Sequence, residues 1–292
     1  MKEPKYYTYR NIKLGYGNLD LPPVLIGTMF YQGQLIMNRD HPEDFNKEKA
    51  KKRIEKQKSL AKQYKLPDLI ELSANSPEAL IKYLEFYLDY FEPPFVLGGT
   101  LDARIKGIEY LNERGIKPEE YIYNTISNLK NKKELEVLQK NKINSVVVLI
   151  LGTSNMTSTQ RYAYITERNA PNNVNIIEGL KNLGIKRIWV DGGVIDLESL
   201  AHILETQRMI STSLNLPVGT AASLFLFKYS SPRLNLKFHT RYRRASIMAI
   251  ASWFSNFIFY GAIEDAKEVF ASVYQATQFK DIIRNHKIKL FD

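Results

Sequence analysis

Polar side chains that follow the apolar runs of this 292-residue chain are its strongest candidates for chemistry. They comprise one amide, one carboxylate and three hydroxyls. The residues are Asn124, Asp191, Thr100, Thr220 and Ser223. Such side chains can donate and accept hydrogen bonds, so the stretches that follow the apolar runs are where a functional site is expected.

The elements that must position these residues repeat along the chain. Six short apolar runs each end in small or polar residues and then give way to a helical stretch. The runs cover residues 24–30, 69–74, 95–100, 146–153, 187–193 and 257–261. This alternation predicts an α/β fold, a (β/α)8 TIM barrel whose strands end at one rim. It is favoured over an open doubly wound sheet because eight strand and helix pairs can be counted.

The whole chain, residues 1–292, is expected to form one barrel domain. Residues 1–22 are predicted to contain a short hairpin, which plugs the lower end of the barrel, and a lead-in to the first barrel strand. Ser76, Pro77 and Glu78 predict the start of a helix that ends at Tyr90. Long polar loops are expected at residues 153–172 and 229–244.

Composition excludes several classes of protein. The chain has no cysteine, which excludes a disulfide scaffold, a thiolate nucleophile and thiolate-bound metal, and which favours the cytoplasm. The longest apolar stretch, residues 245–263, is interrupted by polar residues, so no membrane span is expected. The net charge of +10 is attributed mainly to helix faces on which lysine alternates with glutamate.

Motifs for other chemistries are missing from the sequence. The four histidines are scattered with no pair at i, i+4, so no bound metal is expected. The sequence contains neither a phosphate-binding Gly-x4-Gly-Lys-Ser/Thr run nor a Gly-x-Ser-x-Gly elbow. These absences argue against nucleotide binding by that route and against a hydrolase triad.

Four segments carry a resemblance to a known family. They are PVLIGTMFY at residues 23–31, YNTI at 123–126, LPVG at 216–219 and YGAIE at 260–264. Through them the chain resembles the family of H subunits of tetrahydromethanopterin S-methyltransferase from residue 22 to about residue 275. The resemblance implies a β/α barrel that moves a methyl group between N5 of a reduced pterin and the cobalt of a corrinoid on a partner protein. Tetrahydromethanopterin or tetrahydrofolate would be the pterin, and self-association into a homo-oligomer is implied as well.

The resemblance also assigns roles to single residues. Asn124 and Asp191 match positions that contact the pterin, whose amino-pyrimidinone edge presents donors and acceptors in one plane. Alternatively, these two side chains only cap the loops that follow their strands. Two positions depart from the family pattern. Gly98 stands where an acidic residue is expected, and Leu224 replaces an asparagine that can reach the reacting nitrogen, so Thr220 or Ser223 would have to substitute for that donor.

A run of basic residues with no acid lies between residues 229 and 244. The run contains Arg233, Lys237, Arg241, Arg243 and Arg244. On a rim loop these residues could meet a negatively charged cofactor tail, a corrinoid phosphate or an acidic partner surface. A solvated loop without a ligand is the alternative, whereas nucleic-acid binding is disfavoured because nothing else in the sequence resembles such a module.

Two functions from different classes follow. The first is a methyltransferase that acts on a reduced pterin and a corrinoid protein, and Asn124 and Asp191 favour it. The second is a barrel that has lost the pterin reaction and serves as a binding or assembly subunit for a corrinoid protein or a related methyltransferase. Gly98 and Leu224 favour this alternative.

Overall fold

Eight parallel strands form a closed barrel at the centre of the molecule. A computed structural model describes residues 5–16, 21–168, 174–223 and 236–288. The barrel strands are β3 (Val24–Met29), β4 (Asp68–Ala74), β5 (Phe95–Gly99), β6 (Tyr121–Ile126), β7 (Ser145–Leu149), β8 (Arg187–Asp191), β9 (Val218–Thr220) and β10 (Phe257–Ala262). Each strand pairs with the next one, and β10 pairs with β3 to close the barrel. The predicted (β/α)8 barrel is confirmed.

Helices alternate with the barrel strands. They are α1 (Lys47–Tyr64), α2 (Pro77–Tyr90), α3 (Leu101–Glu113), α4 (Lys132–Lys140), α5 (Ser158–Thr166), α6 (Ile176–Asn182), α7 (Leu197–Leu214), α8 (Leu236–Ser252) and α9 (Ala266–Asn285). The predicted start of α2 is confirmed, because Ser76 Oγ accepts a hydrogen bond from the Ala79 N–H at 3.2 Å and Pro77 occupies the first turn.

An antiparallel hairpin closes the lower end of the barrel, where the strands begin. Its strands are β1 (Lys5–Tyr9) and β2 (Ile12–Tyr16). Tyr9, Ile12 and Leu14 are buried against inward-facing residues of the barrel strands. The Tyr9 hydroxyl donates to Ser145 Oγ at 3.0 Å and accepts from Trp189 Nε1 at 2.9 Å. The predicted hairpin therefore fills this end with apolar side chains and satisfies its polar atoms.

Two stretches predicted to be loops contain helices. Within residues 153–172, helix α5 begins with a capping box in which the Thr157 and Gln160 side chains each accept a hydrogen bond from the other's backbone N–H. Within residues 229–244, helix α8 already begins at Leu236. The loop predictions were wrong because polar composition does not exclude a helix. A capping box begins α5, and arginine, a good helix former, recurs along α8.

Candidate functional site

A cavity of about 230 Å³ opens at the end of the barrel where the parallel strands terminate. We refer to it as the rim cavity. Its lining includes Thr28 of β3, Glu71 of β4, Asn124 of β6, Asp191 of β8, and Ser223 just after β9. Parallel strands bring residues distant in sequence to one edge, which is why three of the predicted site residues, Asn124, Asp191 and Ser223, meet here.

Glu71 is the centre of the hydrogen-bond network in the rim cavity. Its Oε2 accepts from the Thr28 hydroxyl at 2.6 Å, and its Oε1 accepts from Asn124 Nδ2 at 2.6 Å. Burial raises the pKa of the Glu71 carboxyl, while these two hydrogen bonds and the positive charge of Arg104 act in the opposite direction. The network fixes the Asn124 amide toward the interior of the cavity.

Asp191 ends strand β8 and brings a second buried carboxyl to the rim cavity. Its Oδ1 accepts from the Gly193 N–H at 2.9 Å. Burial raises the pKa of Asp191 from 3.8 to about 6, and the nearby charge of Glu71 acts in the same direction. Gly193 has a φ of +68°, a conformation in which a Cβ would also collide with the Ile150 carbonyl. The glycine after Asp191 is therefore part of how this carboxyl is held.

The three predicted hydroxyl residues have different environments. Ser223 is buried and lines the rim cavity. Thr220 is buried at the end of β9, and its Oγ1 has no hydrogen-bond partner within the described part of the chain. Thr100 is the N-cap of helix α3, where its Oγ1 accepts from the Ala103 N–H at 3.4 Å and donates to the Asn75 carbonyl at 3.3 Å. Leu224 lies outside the described residues.

Glu264 joins two of the segments on which the family resemblance depends. It accepts from the Tyr31 hydroxyl at 3.2 Å and from Gln34 Nε2 at 3.1 Å, and it forms an ion pair with Arg53 at 2.8 Å. Tyr31 and Gln34 belong to the connection after β3, whereas Glu264 follows β10. These contacts join the connection after β3, the first barrel strand, to the segment after β10, the last barrel strand.

The basic residues between 229 and 244 do not form one loop cluster. Arg244 is buried on α8 and pairs with Asp265 at 2.5 Å, and Arg241 approaches Glu268 at 3.5 Å. Arg243 and Lys237 also lie on α8, while Arg233 is outside the described residues. The expectation that these residues lie on a rim loop was wrong for those on the helix, and Arg244 is already neutralised by a carboxylate.

The described residues contain neither a candidate metal site nor a candidate membrane-spanning helix. Among those residues, no three or more histidine, cysteine, aspartate or glutamate side chains are grouped so that they could hold a metal ion. None of the helices there combines the length and the apolar character needed to cross a membrane.

Comparison with known families identifies the lineage of this barrel. The family model described as the tetrahydromethanopterin S-methyltransferase MtrH subunit matches residues 2–289. The chain belongs to the MtrH family. The relative from Methanothermobacter thermautotrophicus, the MtrH subunit of this methyltransferase, is 27% identical over 275 residues, covering 91% of this chain and 88% of the relative. Its counterpart from Methanothermobacter marburgensis is 29% identical over 210 residues, covering 71% of this chain and 67% of the relative.

Solved structures with the same fold come from another enzyme. Yersinia pestis DHPS with a pterine-sulfa conjugate has a TM-score of 0.60 at 13% identity, covering 95% of this chain and 100% of that one. Dihydropteroate synthase from Thermus thermophilus in complex with 6HMPPP has a TM-score of 0.58 at 11% identity, with coverages of 96% and 100%. At this identity the similarity establishes the barrel fold of this MtrH family member and no more.

Sequence reasoning missed Glu71, although the sequence contained a signal for it. Glu71 is a single acid inside the run formed by Leu69, Ile70 and Leu72. In a strand whose side chains alternate in direction, an acid at this position shares the inward face with Leu69. An unpaired carboxylate is costly at such a position, so the acid indicated a hydrogen-bonded site in this MtrH family chain.

Proposed function

We propose that this chain binds a reduced pterin in the rim cavity and participates in methyl transfer between N5 of that pterin and a corrinoid carried by a partner protein. One observation carries the proposal. Asn124 and Asp191 line a single cavity at the rim of a barrel that belongs to the MtrH family. The site chemistry supports it, because carboxylate and amide groups can hydrogen-bond the donors and acceptors of an amino-pyrimidinone edge.

In this proposal the protein contributes mainly by positioning the reactants. Asp191 accepts hydrogen bonds from the N–H groups of the pterin ring, and Asn124 binds the ring beside it. The buried surroundings strengthen these polar contacts and exclude water from the ring. The partner's corrinoid would supply the cobalt that exchanges the methyl group. By fixing the ring relative to the open rim, these residues would hold it in a geometry that accelerates transfer of the methyl group.

Calorimetric titration with methylated tetrahydromethanopterin, and separately with methylated tetrahydrofolate, tests the proposal. We expect micromolar binding of one of these pterins by the unmodified chain. Asn124→Ala and Asp191→Ala should each weaken binding about tenfold or more, because each leaves a ligand polar group unpaired. Asp102→Ala is the matched control, since it removes an exposed carboxylate from the first turn of α3.

The outcomes separate the two functions that the sequence left open. Binding that Asn124→Ala and Asp191→Ala weaken about tenfold or more, while Asp102→Ala preserves it, supports the pterin site. No heat with millimolar pterin would contradict that site and favour the binding or assembly subunit. Methyl transfer to free cob(I)alamin, followed by its visible spectrum, then measures whether the bound pterin reacts. Sedimentation velocity, alone and with a corrinoid protein, tests the expected homo-oligomer and the expected partner.

A further inference from the structure

The side chain of Glu71 occupies the space that a side chain at position 98 would need. Along the alternating inward positions of neighbouring strands, Glu71 of β4 is level with Val96 of β5, and Gly98 is the next inward position toward the rim. A Cβ built on Gly98 would lie 2.6 Å from Glu71 Oε1 and 3.1 Å from Glu71 Cδ. The absence of a side chain on Gly98 is therefore what allows the Glu71 carboxylate to lie there.

The position of the carboxylate follows from the strand order. Strands β3, β4, β5 and β6 are consecutive neighbours in the barrel. Glu71 on β4 accepts a hydrogen bond from Thr28 on the neighbouring strand β3. It accepts a second hydrogen bond from Asn124 on β6, and this contact passes over β5. Gly98 is the β5 residue at the crossing point. A larger residue at position 98 would require the Glu71 carboxylate to move from the position in which it contacts Asn124.

We propose that Glu71 is a ligand-binding carboxylate of the rim cavity and that, across Gly98, it accepts hydrogen bonds from the N–H donors of the bound pterin ring. This inference rests on the proposed function. An ionised carboxylate has about four acceptor positions, of which Thr28 and Asn124 use two, so acceptor capacity remains for a ligand. Glu71 lines the cavity, and its burial means that these acceptors gain by meeting donors from the ligand.

A reciprocal substitution tests whether the carboxylate has this role. Glu71→Ala should weaken pterin binding about tenfold or more, and Glu71→Gln should also weaken it because one acceptor becomes a donor. Gly98→Asp alone should weaken binding, because its Cβ and carboxylate collide with Glu71. The double variant Glu71→Ala with Gly98→Asp should regain most of the affinity, since the space is vacated and a carboxylate returns from the neighbouring strand.

A second cycle separates direct contact from positioning of Asn124. If Glu71 only orients Asn124, then Glu71→Ala adds no loss of affinity in an Asn124→Ala background. Direct contact predicts a further loss of about fivefold or more in that background. Circular dichroism and urea unfolding of every variant identify any that fail to fold, and Glu71→Gln is the variant closest to the native shape.

Each result has a defined meaning. Rescue by the double variant together with an added loss in the Asn124→Ala background supports the inference. Unchanged affinity of Glu71→Ala and Glu71→Gln, while Asn124→Ala and Asp191→Ala weaken binding about tenfold or more, overturns the inference and leaves the proposed function intact. Failure of the unmodified chain to bind any reduced pterin overturns both.

Discussion

The inward-facing residues at the two ends of the barrel differ in chemistry and in packing. At the lower end, Tyr9 of the hairpin fills the interior and pairs its hydroxyl with Ser145 and Trp189. At the upper end, two buried carboxyl groups, those of Glu71 and Asp191, surround an open cavity of about 230 Å³. The lower end is closed by packed side chains, whereas the upper end has ionisable groups that are buried from water.

Because of this difference, we expect the lower end of the barrel interior to contribute to stability and the upper end to contribute to ligand binding. Apolar burial at the lower end stabilises the folded chain. Burial at the upper end opposes ionisation of Glu71 and Asp191, and the raised pKa of each carboxyl reports that cost. A ligand with N–H donors would offset the cost by supplying the missing hydrogen bonds. Substitutions at the lower end should therefore lower the free energy of unfolding without changing binding, whereas substitutions of the buried carboxyls should weaken binding without lowering that free energy at pH 8.

The largest expected effect is at the lower end. Tyr9→Ala should lower the free energy of unfolding by about 3–5 kcal/mol, because it removes a buried aromatic ring and leaves Trp189 Nε1 without its acceptor. Urea unfolding measures this loss, and Tyr6→Ala, an exposed residue of the same hairpin, should cost about 1 kcal/mol or less. Pterin affinity of the folded Tyr9→Ala variant should be unchanged. A large loss of affinity would break the separation between the two ends.

The next largest effect is an increase in the free energy of unfolding, caused by a substitution at the upper end. The pKa of Asp191 is raised from 3.8 to about 6, so ionisation costs more in the folded than in the unfolded chain, by about 3 kcal/mol. That cost is absent below pH 4, grows as pH rises from 4 to 6, and is complete above pH 6. Asp191→Asn removes it. The variant should thus unfold at higher urea than the parent at pH 8 but not at pH 4.

A stability of Asp191→Asn equal to or below that of the parent at pH 8 would contradict this account of the upper end. Asp102→Asn serves as the control, because its exposed carboxylate should give no comparable change at either pH.

Ligand affinity should depend on pH through the same carboxyl. Below the Asp191 pKa of about 6, protonation removes the carboxylate acceptor that we propose for the pterin ring. We expect affinity to fall by up to about tenfold, or about 1.4 kcal/mol, for each pH unit below that value. Calorimetric titration between pH 5 and pH 8 measures the profile, using Asp191→Asn as the reference. A decline near pH 6 that persists in the variant would assign it to another group.

The smallest expected effect comes from the residue that supports Glu71. Thr28→Val removes the hydroxyl that donates to Glu71 Oε2 but keeps the shape of the side chain. Pterin affinity should fall about fivefold, or about 1 kcal/mol, because one of the two hydrogen bonds that hold the carboxylate is lost. Thr212→Val, on an exposed face of α7, should leave the affinity unchanged. Equal effects of the two substitutions would mean that Thr28 does not act through Glu71.

The barrel could be predicted from the sequence because its signals are local. Apolar runs, turn residues and the Ser76–Pro77 helix start each lie within a few residues. Helix α5 and the part of α8 before residue 245 were predicted as loops, because polar composition outweighed a capping box and the helix propensity of arginine. Glu71 was missed because its partners Thr28 and Asn124 are 43 and 53 residues away in sequence. Only the closed barrel brings these side chains together.

A crystal structure of the chain with a reduced pterin bound would test the central claim most directly. The account predicts the pterin ring in the rim cavity, with its pyrimidine edge within hydrogen-bond distance of Asn124, Asp191 and Glu71. Pterin bound elsewhere on the barrel, or in the cavity with that edge turned away from all three side chains, would contradict it.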